Sequence, residues 1–434
     1  MQDTKTTALE PEAIALVAAD GCPIRGFAWR HGERHAGDCG VVHESNAGVR
    51  PVVIVNAATS VRCRYYFRFA AFLFSHGYDA IVYDYRGIGE SRPRSLRGFS
   101  ASWLDWGQLD FEAVLQYAAR EFPGQPVDVV AHSVGGVVVG LAPSNEMIRR
   151  VVMMGAQYAH WRDYAPGRKL AMLWRWHVLM PVLAILAGYV PAGRLGWMED
   201  TPKGVALSWS CSKARFEDTF RRGAFALGEA ERARLVAQFS AVHAPILAIS
   251  VTDDEFGTVP AIERLLRYFT GSALTHLRIA PRQIGQPAIG HFAFFHSRFE
   301  DSLWPIALAW LKLGVLREGG PAASYFSALG VRRIAKGREV ILEGRYVVVE
   351  AVRYQNPPSW PNKYSADAPP CTSPDAQACQ THTGDTDRVH SKSQARCVEV
   401  PAARPNRRRA ASITPHSRAT GIRAARTRHR DSRT

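Results

Sequence analysis

The sequence predicts an α/β protein, a mostly parallel central sheet covered by helices on both faces, with a helical insertion. Three observations lead there. Short apolar runs of strand length alternate with segments of helical spacing, the order that builds a parallel sheet. The run Val127-Asp128-Val129-Val130-Ala131-His132-Ser133-Val134-Gly135-Gly136 carries a strand into a serine flanked by small residues, then into a glycine-rich helix start. That is the form of a nucleophile elbow, a tight turn that lifts a hydroxyl out of a sheet. Downstream, the strand-like Pro245–Val251 ends in Thr252-Asp253-Asp254-Glu255-Phe256, and Gly290-His291-Phe292 places a histidine in a loop before a last helix. Serine, acid and histidine therefore follow one another at the C-terminal ends of strands, the edge where open parallel sheets hold their sites.

Taken in order, residues 13–17 and 24–29 read as strands around an Asp20-Gly21 turn. Gly32 to Arg50 is polar and loop-like. Val52–Val55 is a buried strand, and apolar spacing predicts a helix over 65–75 that stops at Gly77. Residues 80–83 form another strand, 103–122 a helix ended by Pro123-Gly124, and 151–154 a further core strand. In the elbow strand Asp128 interrupts the apolar run near its start, where a strand entering a sheet still reaches solvent. Crowding explains the small residues two before and two after Ser133. Gly135 meets that need, and Ala131 stands where glycine is usual.

The strand-helix rhythm breaks from about Gly155 to Phe239, a stretch rich in Trp, Arg and Leu. It reads as a helical cap that excludes water and shapes a pocket, or else as a structural helical extension. Its most apolar stretch, Leu170 to Val190, contains Arg175, His177 and Pro181 and reads as an amphipathic or buried helix pair around Pro181; no transmembrane segment is expected. A strand near 246, a helix near 261–269, a strand near 274–279 and a helix over 302–313 restore the rhythm. The expected divisions are a first core segment over residues 1–155, a cap insertion over 156–240, a second core segment over 241–316, and an extension over 317–434. That extension holds a hairpin around Glu343-Gly344 and is otherwise mostly a disordered basic tail.

The net charge of +15 points to nucleic acid until its distribution is read. The last 34 residues hold ten arginines against Asp431 alone, so +9 of the charge lies in that tail and the folded body is only mildly basic. No specific nucleic-acid partner is expected. The seven cysteines form no C-x-x-C pair, so neither a zinc site nor a disulfide framework is indicated, and no metal or organic cofactor is implied. With Met1–Lys5 lacking a basic-then-apolar pattern, a cytoplasmic location is expected.

Asp84-Tyr85-Arg86-Gly87-Ile88-Gly89-Glu90-Ser91, Ala131-His132-Ser133-Val134-Gly135, Val251–Phe256 and Gly290-His291-Phe292 together resemble the α/β-hydrolase family. The likeness is to its serine hydrolases with a helical cap, of the monoacylglycerol-lipase-like and serine-aminopeptidase-like kinds, and it covers roughly residues 13–316. A dinucleotide fingerprint at Gly87-Ile88-Gly89 fails for want of a third glycine. The resemblance implies Ser133 as nucleophile, His291 as the base that takes and returns its proton, and an aspartate that orients His291. The second of a paired Asp-Asp after this strand usually holds that role in relatives, so the resemblance points to Asp254, with Asp253 the alternative. It also implies an oxyanion hole with one backbone N–H from Val134 and another from the loop Asn56-Ala57-Ala58-Thr59-Ser60, where Ala58 is the best position and an Asn56 side chain is an alternative. The usual His-Gly pair is missing from that loop.

The function implied is hydrolysis of a small-molecule carboxylic ester, with an apolar acyl group, through an acyl-enzyme. Acyl transfer to an alcohol or thiol, amide cleavage, and an inactive scaffold used for binding stay open. Dehalogenase chemistry fits less well because the elbow carries serine.

Overall fold

The computed structural model of the chain describes residues 10–32, 49–223 and 225–314, and the backbone of three later strands. The polar stretch 33–48 and the arginine-rich tail lie outside the described residues. In chain order the strands are β1 (Glu12–Val17), β2 (Pro23–Trp29), β3 (Val52–Asn56), β4 (Asp79–Asp84), β5 (Val127–His132), β6 (Ile148–Met154), β7 (Tyr189–Val190), β8 (Thr201–Pro202), β9 (Ile246–Val251), β10 (Leu274–Ile279), β11 (Arg332–Lys336), β12 (Glu339–Glu343) and β13 (Val349–Tyr354). The main sheet runs β1-β2-β4-β3-β5-β6-β9-β10-β13-β12-β11. From β4 to β10 every neighbouring pair is parallel, and β1 and β2 add an antiparallel edge. This is the α/β-hydrolase architecture that the sequence predicts.

Burial follows the topology. Every residue of β3, β4, β5 and β9 is buried, as helices on both faces require. The edge strand β1 instead alternates buried and exposed positions over most of its length. The chain passes from β3 to β4 on one side, then crosses back to β5 on the other side of β3. The order of strands reverses there, and the ends of β3 and β5 lie side by side with Asn56 opposite Ala131. Such a reversal opens a crevice beyond the carboxyl ends of the two strands.

Asp128 departs from its expected place near solvent. It is fully buried in β5, and Arg149 on β6 meets it with Nε at 2.9 Å. A carboxylate enters an apolar strand here because a half-buried guanidinium on the next strand accompanies it; burial still raises the Asp128 carboxyl, and Arg149 opposes that rise. Arg149→Met is expected to cost about 3–5 kcal/mol, because it strands a buried charge. Urea unfolding checks this, and adding Asp128→Asn to the Arg149→Met variant should recover some of the loss.

The sheet continues past the expected core boundary at residue 316. β13 pairs with β10, and β12 pairs antiparallel with β13 across 344–348, where a hairpin is expected. Residues 332–336, Arg332-Arg333-Ile334-Ala335-Lys336, alternate too weakly for their sequence to signal β11.

Between β6 and β9 the chain forms short helices plus the two-stranded β7–β8 ribbon, with Tyr189 opposite Pro202. Leu170–Val190 is not a helix pair. One helical run extends over 166–187, with a π turn at Trp174–Leu179, and ends at Gly188 in a left-handed conformation. The wide turn ahead of Pro181 relieves the clash and the lost amide bond that would otherwise break the helix.

Candidate active site

Ser133 leaves the end of β5 at φ +54°, one of two described non-glycine residues with positive φ. An L-residue holds that conformation only where its surroundings over-determine it. Here the Ser133 N–H donates to the Met154 carbonyl at 3.1 Å, and the helix Gly135–Leu141 starts at once. That helix packs so close to β3 that a Cβ on Gly135 would come 2.6 Å from the Asn56 carbonyl oxygen. The small residue required after the serine has this physical cause.

His291 and Asp254 meet. The imidazole Nδ1 lies 2.7 Å from Asp254 Oδ2, and both side chains are buried. An ionised carboxylate only accepts, so Nδ1 carries the proton and Nε2 keeps its lone pair. Asp254 Oδ1 accepts from the Phe256 and Gly257 amides, each at 2.8 Å. Burial alone would raise the Asp254 carboxyl; the His291 partner and these two amides outweigh it and hold the group below its ordinary range. Asp253 does different work. Its Oδ2 accepts from the Ile289 and Gly290 amides at 2.8 and 3.0 Å, which ties down the loop leading into His291.

Ser133 and His291 line one cavity of about 240 Å³, and among the described residues no hydrogen bond joins the serine hydroxyl to the imidazole. The sheet side supplies Ala58, Thr59, Ser133, Glu255, Phe256, His291 and Phe292. The insertion supplies Arg175, Trp176, Gly196, Trp197, Met198 and Trp209. Trp176 stacks on Trp209 with ring centres 5.1 Å apart, so the insertion presents a rigid aromatic wall.

The loop after β3 departs from expectation in two places. Ala58 lines the cavity, but its N–H is already spent: it donates to Tyr66 Oη at 2.9 Å. Among the described residues the amides of Thr59 and Val134 have no hydrogen-bond partner, and Thr59 also lines the cavity. Asn56 is fully buried behind the loop with its Oδ1 accepting from Tyr83, and it does not line the cavity. The loop turns at Ser60, the other described non-glycine residue with positive φ. The insertion clamps that turn, because the Glu199 N–H donates to the Ser60 carbonyl and the Ser60 and Thr201 hydroxyls hydrogen-bond.

Several positioning groups left no mark that sequence reasoning could use. His132 is fully buried, and its Nε2 donates to the His291 carbonyl at 2.9 Å. Its Nδ1 must then accept, and it does so from Tyr66 Oη at 2.8 Å. Burial and then the nearby His291 push the His132 imidazole down to about 3, so it stays neutral. A hydrogen-bonded chain thus runs from the Ala58 amide through Tyr66 and His132 to the backbone of His291. Gly155, at φ +55° just after β6, backs onto the Asp254–His291 contact; a Cβ there would lie 3.1 Å from both Asp254 Oδ2 and His291 Nδ1.

The sequence profile of the family described as serine aminopeptidase, S33, matches residues 49–268. Among curated proteins none matches the chain. Similar solved structures include an esterase of Pyrococcus furiosus, 15% identical over 70% of this chain and 91% of that one, with a TM-score of 0.41. A meta-cleavage product hydrolase of Pseudomonas fluorescens is 15% identical over 70% of this chain and 98% of its own, with a TM-score of 0.39. A monoacylglycerol lipase of Paleococcus ferrophilus is 14% identical over 61% and 96%, with a TM-score of 0.38. The profile spans just over half of the chain and takes in the elbow, Ser133 and the acid pair, and so the chain belongs to the serine aminopeptidase S33 family, as a serine hydrolase of α/β-hydrolase fold.

Proposed function

We propose that this protein hydrolyses carboxylic esters with an apolar acyl or aryl group, through a Ser133-His291-Asp254 triad and an acyl-enzyme. The observation that carries the reading is the 2.7 Å contact of His291 Nδ1 with Asp254, in the same cavity as the left-handed Ser133. Asp254 fixes the proton on Nδ1, so Nε2 is the atom free to accept the Ser133 proton as Oγ attacks the acyl carbon. His291 then returns that proton to the leaving alcohol. A water, deprotonated by the same nitrogen, attacks the acyl-enzyme and frees Ser133. The developing oxyanion takes hydrogen bonds from the Val134 amide and from the loop after β3, where Thr59 replaces Ala58 as the second donor because Ala58 serves Tyr66.

The insertion acts as a cap. Its tryptophans, with Phe256 and Phe292, make most of the cavity wall apolar, which favours an apolar substrate and a dry reaction site. At about 240 Å³ the cavity lies below the roughly 300–1,000 Å³ typical of drug-sized ligand sites. Along a series of p-nitrophenyl esters, kcat/KM is therefore expected to rise with acyl length until the cavity fills and then fall. A fluorophosphonate probe should label the protein at Ser133, identified by peptide mapping. A protein that turns over no ester in the series and takes no label would overturn the reading. Product analysis with added alcohols separates hydrolysis from acyl transfer.

A further inference from the structure

We propose that the exposed face of the 166–187 helix docks the protein onto an anionic lipid bilayer, with the mouth of the cavity beside the membrane. The helix is 22 residues long, and only 22% of its most apolar 18-residue window is buried. Its two faces differ. Met172, Trp176, Met180 and Ala184, spaced four apart, are buried against the rest of the protein. Leu170, Trp174, Val178, Val182, Ile185 and Leu186 point outward, from 38% exposed at Val178 to 79% at Leu186. Single exposed apolar side chains are ordinary, whereas six on one helix form a patch that calls for a partner. Because the other face is packed in protein, the helix suits lying in the membrane interface and not crossing it.

Charge selects the partner. From Tyr164 to Met198 the chain has no Asp or Glu, and it carries Arg168, Lys169, Arg175 and Arg194. Arg168 pairs with Glu255 at 3.0 Å; among the described residues Lys169, Arg175 and Arg194 have no carboxylate partner, and the Arg175 guanidinium lies 5.9 and 5.7 Å from the Trp176 and Trp197 ring centres. An apolar stripe that begins at Lys169 and carries the exposed Arg175 matches an acyl-chain boundary under anionic headgroups. A second copy of the chain fits less well. A two-fold interface would set this face against itself, with the same cations opposed and no acid on the helix to pair them. The same helix reaches the cavity, which Arg175 and Trp176 line next to exposed Trp174. Docking would therefore let an apolar ester pass from bilayer to cavity with little exposure to water. That last consequence rests on the proposed esterase activity; the docking does not.

The test is co-sedimentation of the full chain with phosphatidylcholine vesicles, with and without phosphatidylglycerol, at low and high salt. The ten arginines of the last 34 residues would attract anionic vesicles as well, and high salt screens that contribution. Trp174→Glu combined with Leu186→Glu alters two exposed positions, so circular dichroism should show an unchanged fold. The double variant is expected to bind anionic vesicles at least about tenfold more weakly at high salt. Trp174→Phe should bind like the parent yet lose the fluorescence quenching caused by brominated acyl chains. Equal high-salt binding by parent and double variant would overturn the proposal. So would a dimer in light scattering that the double variant dissolves while the parent ignores vesicles. Vesicle binding without labelling of Ser133 would leave the docking standing and remove only the esterase reading.

Discussion

Ser133→Ala is expected to lower kcat/KM for an activated ester by about 10⁵-fold or more and to abolish fluorophosphonate labelling. The size follows from what the side chain does. Without Oγ no acyl-enzyme forms, and His291 loses the proton it was placed to take. What remains is binding in the cavity and hydrogen bonding to the oxyanion, which together leave some rate above that in water. Stability should behave differently from activity. Ser133 sits at φ +54°, so an alanine Cβ meets the same backbone strain that serine does, and the unfolding midpoint should hardly move. Ser133→Gly removes that Cβ and should be as inactive as alanine but more stable by about 1 kcal/mol. Activity assays beside urea unfolding of both variants provide the check. An alanine variant that keeps its activity would remove Ser133 from the chemistry. A glycine variant no more stable than alanine would mean that the elbow stores no strain.

The features that sequence reasoning reaches here are local or serial. The elbow is legible because one tight turn needs small residues at fixed spacing, and the acid and histidine because they follow strands in a set order. What escapes it depends on partners distant in the chain. Asp128 lies buried because of Arg149, 21 residues on, and nothing in the run from Val127 to Gly136 announces that guanidinium. Ala58 looks suited to the oxyanion hole until Tyr66 takes its amide, and that tyrosine belongs to another element. Gly155 reads as an ordinary end to β6, since its reason for being glycine is a contact between Asp254 and His291, 99 and 136 positions later. Pro181 marks a helix break by rule, and a π turn cancels the rule.

Asp254→Asn and Asp253→Asn should separate two neighbouring carboxylates by function. In the parent, two amides hold Asp254 Oδ1 while Oδ2 faces His291. An asparagine at 254 must keep its carbonyl oxygen toward the Phe256 and Gly257 amides, because its NH₂ group cannot accept from them. The NH₂ group is then turned toward His291 Nδ1, which must become an acceptor. The imidazole proton moves to Nε2, the atom meant to receive the serine proton, so kcat is expected to fall about 10⁴-fold. Stability adds a second signature. The Asp254 carboxyl is held below its ordinary range, so the stabilisation it contributes is full above the unfolded value and is lost as pH falls through the lowered folded one. The parent should therefore lose its stability advantage over the asparagine variant only in acid, below about pH 4. Among the described residues Asp253 accepts only from backbone amides, through one oxygen. An asparagine carbonyl can replace that oxygen, so Asp253→Asn should keep kcat within about threefold of the parent, whereas Asp253→Ala frees the loop before His291 and should lower it further. If the asparagine at 253 were the inactive variant and the one at 254 the active one, the aspartate that directs His291 would have to be reassigned.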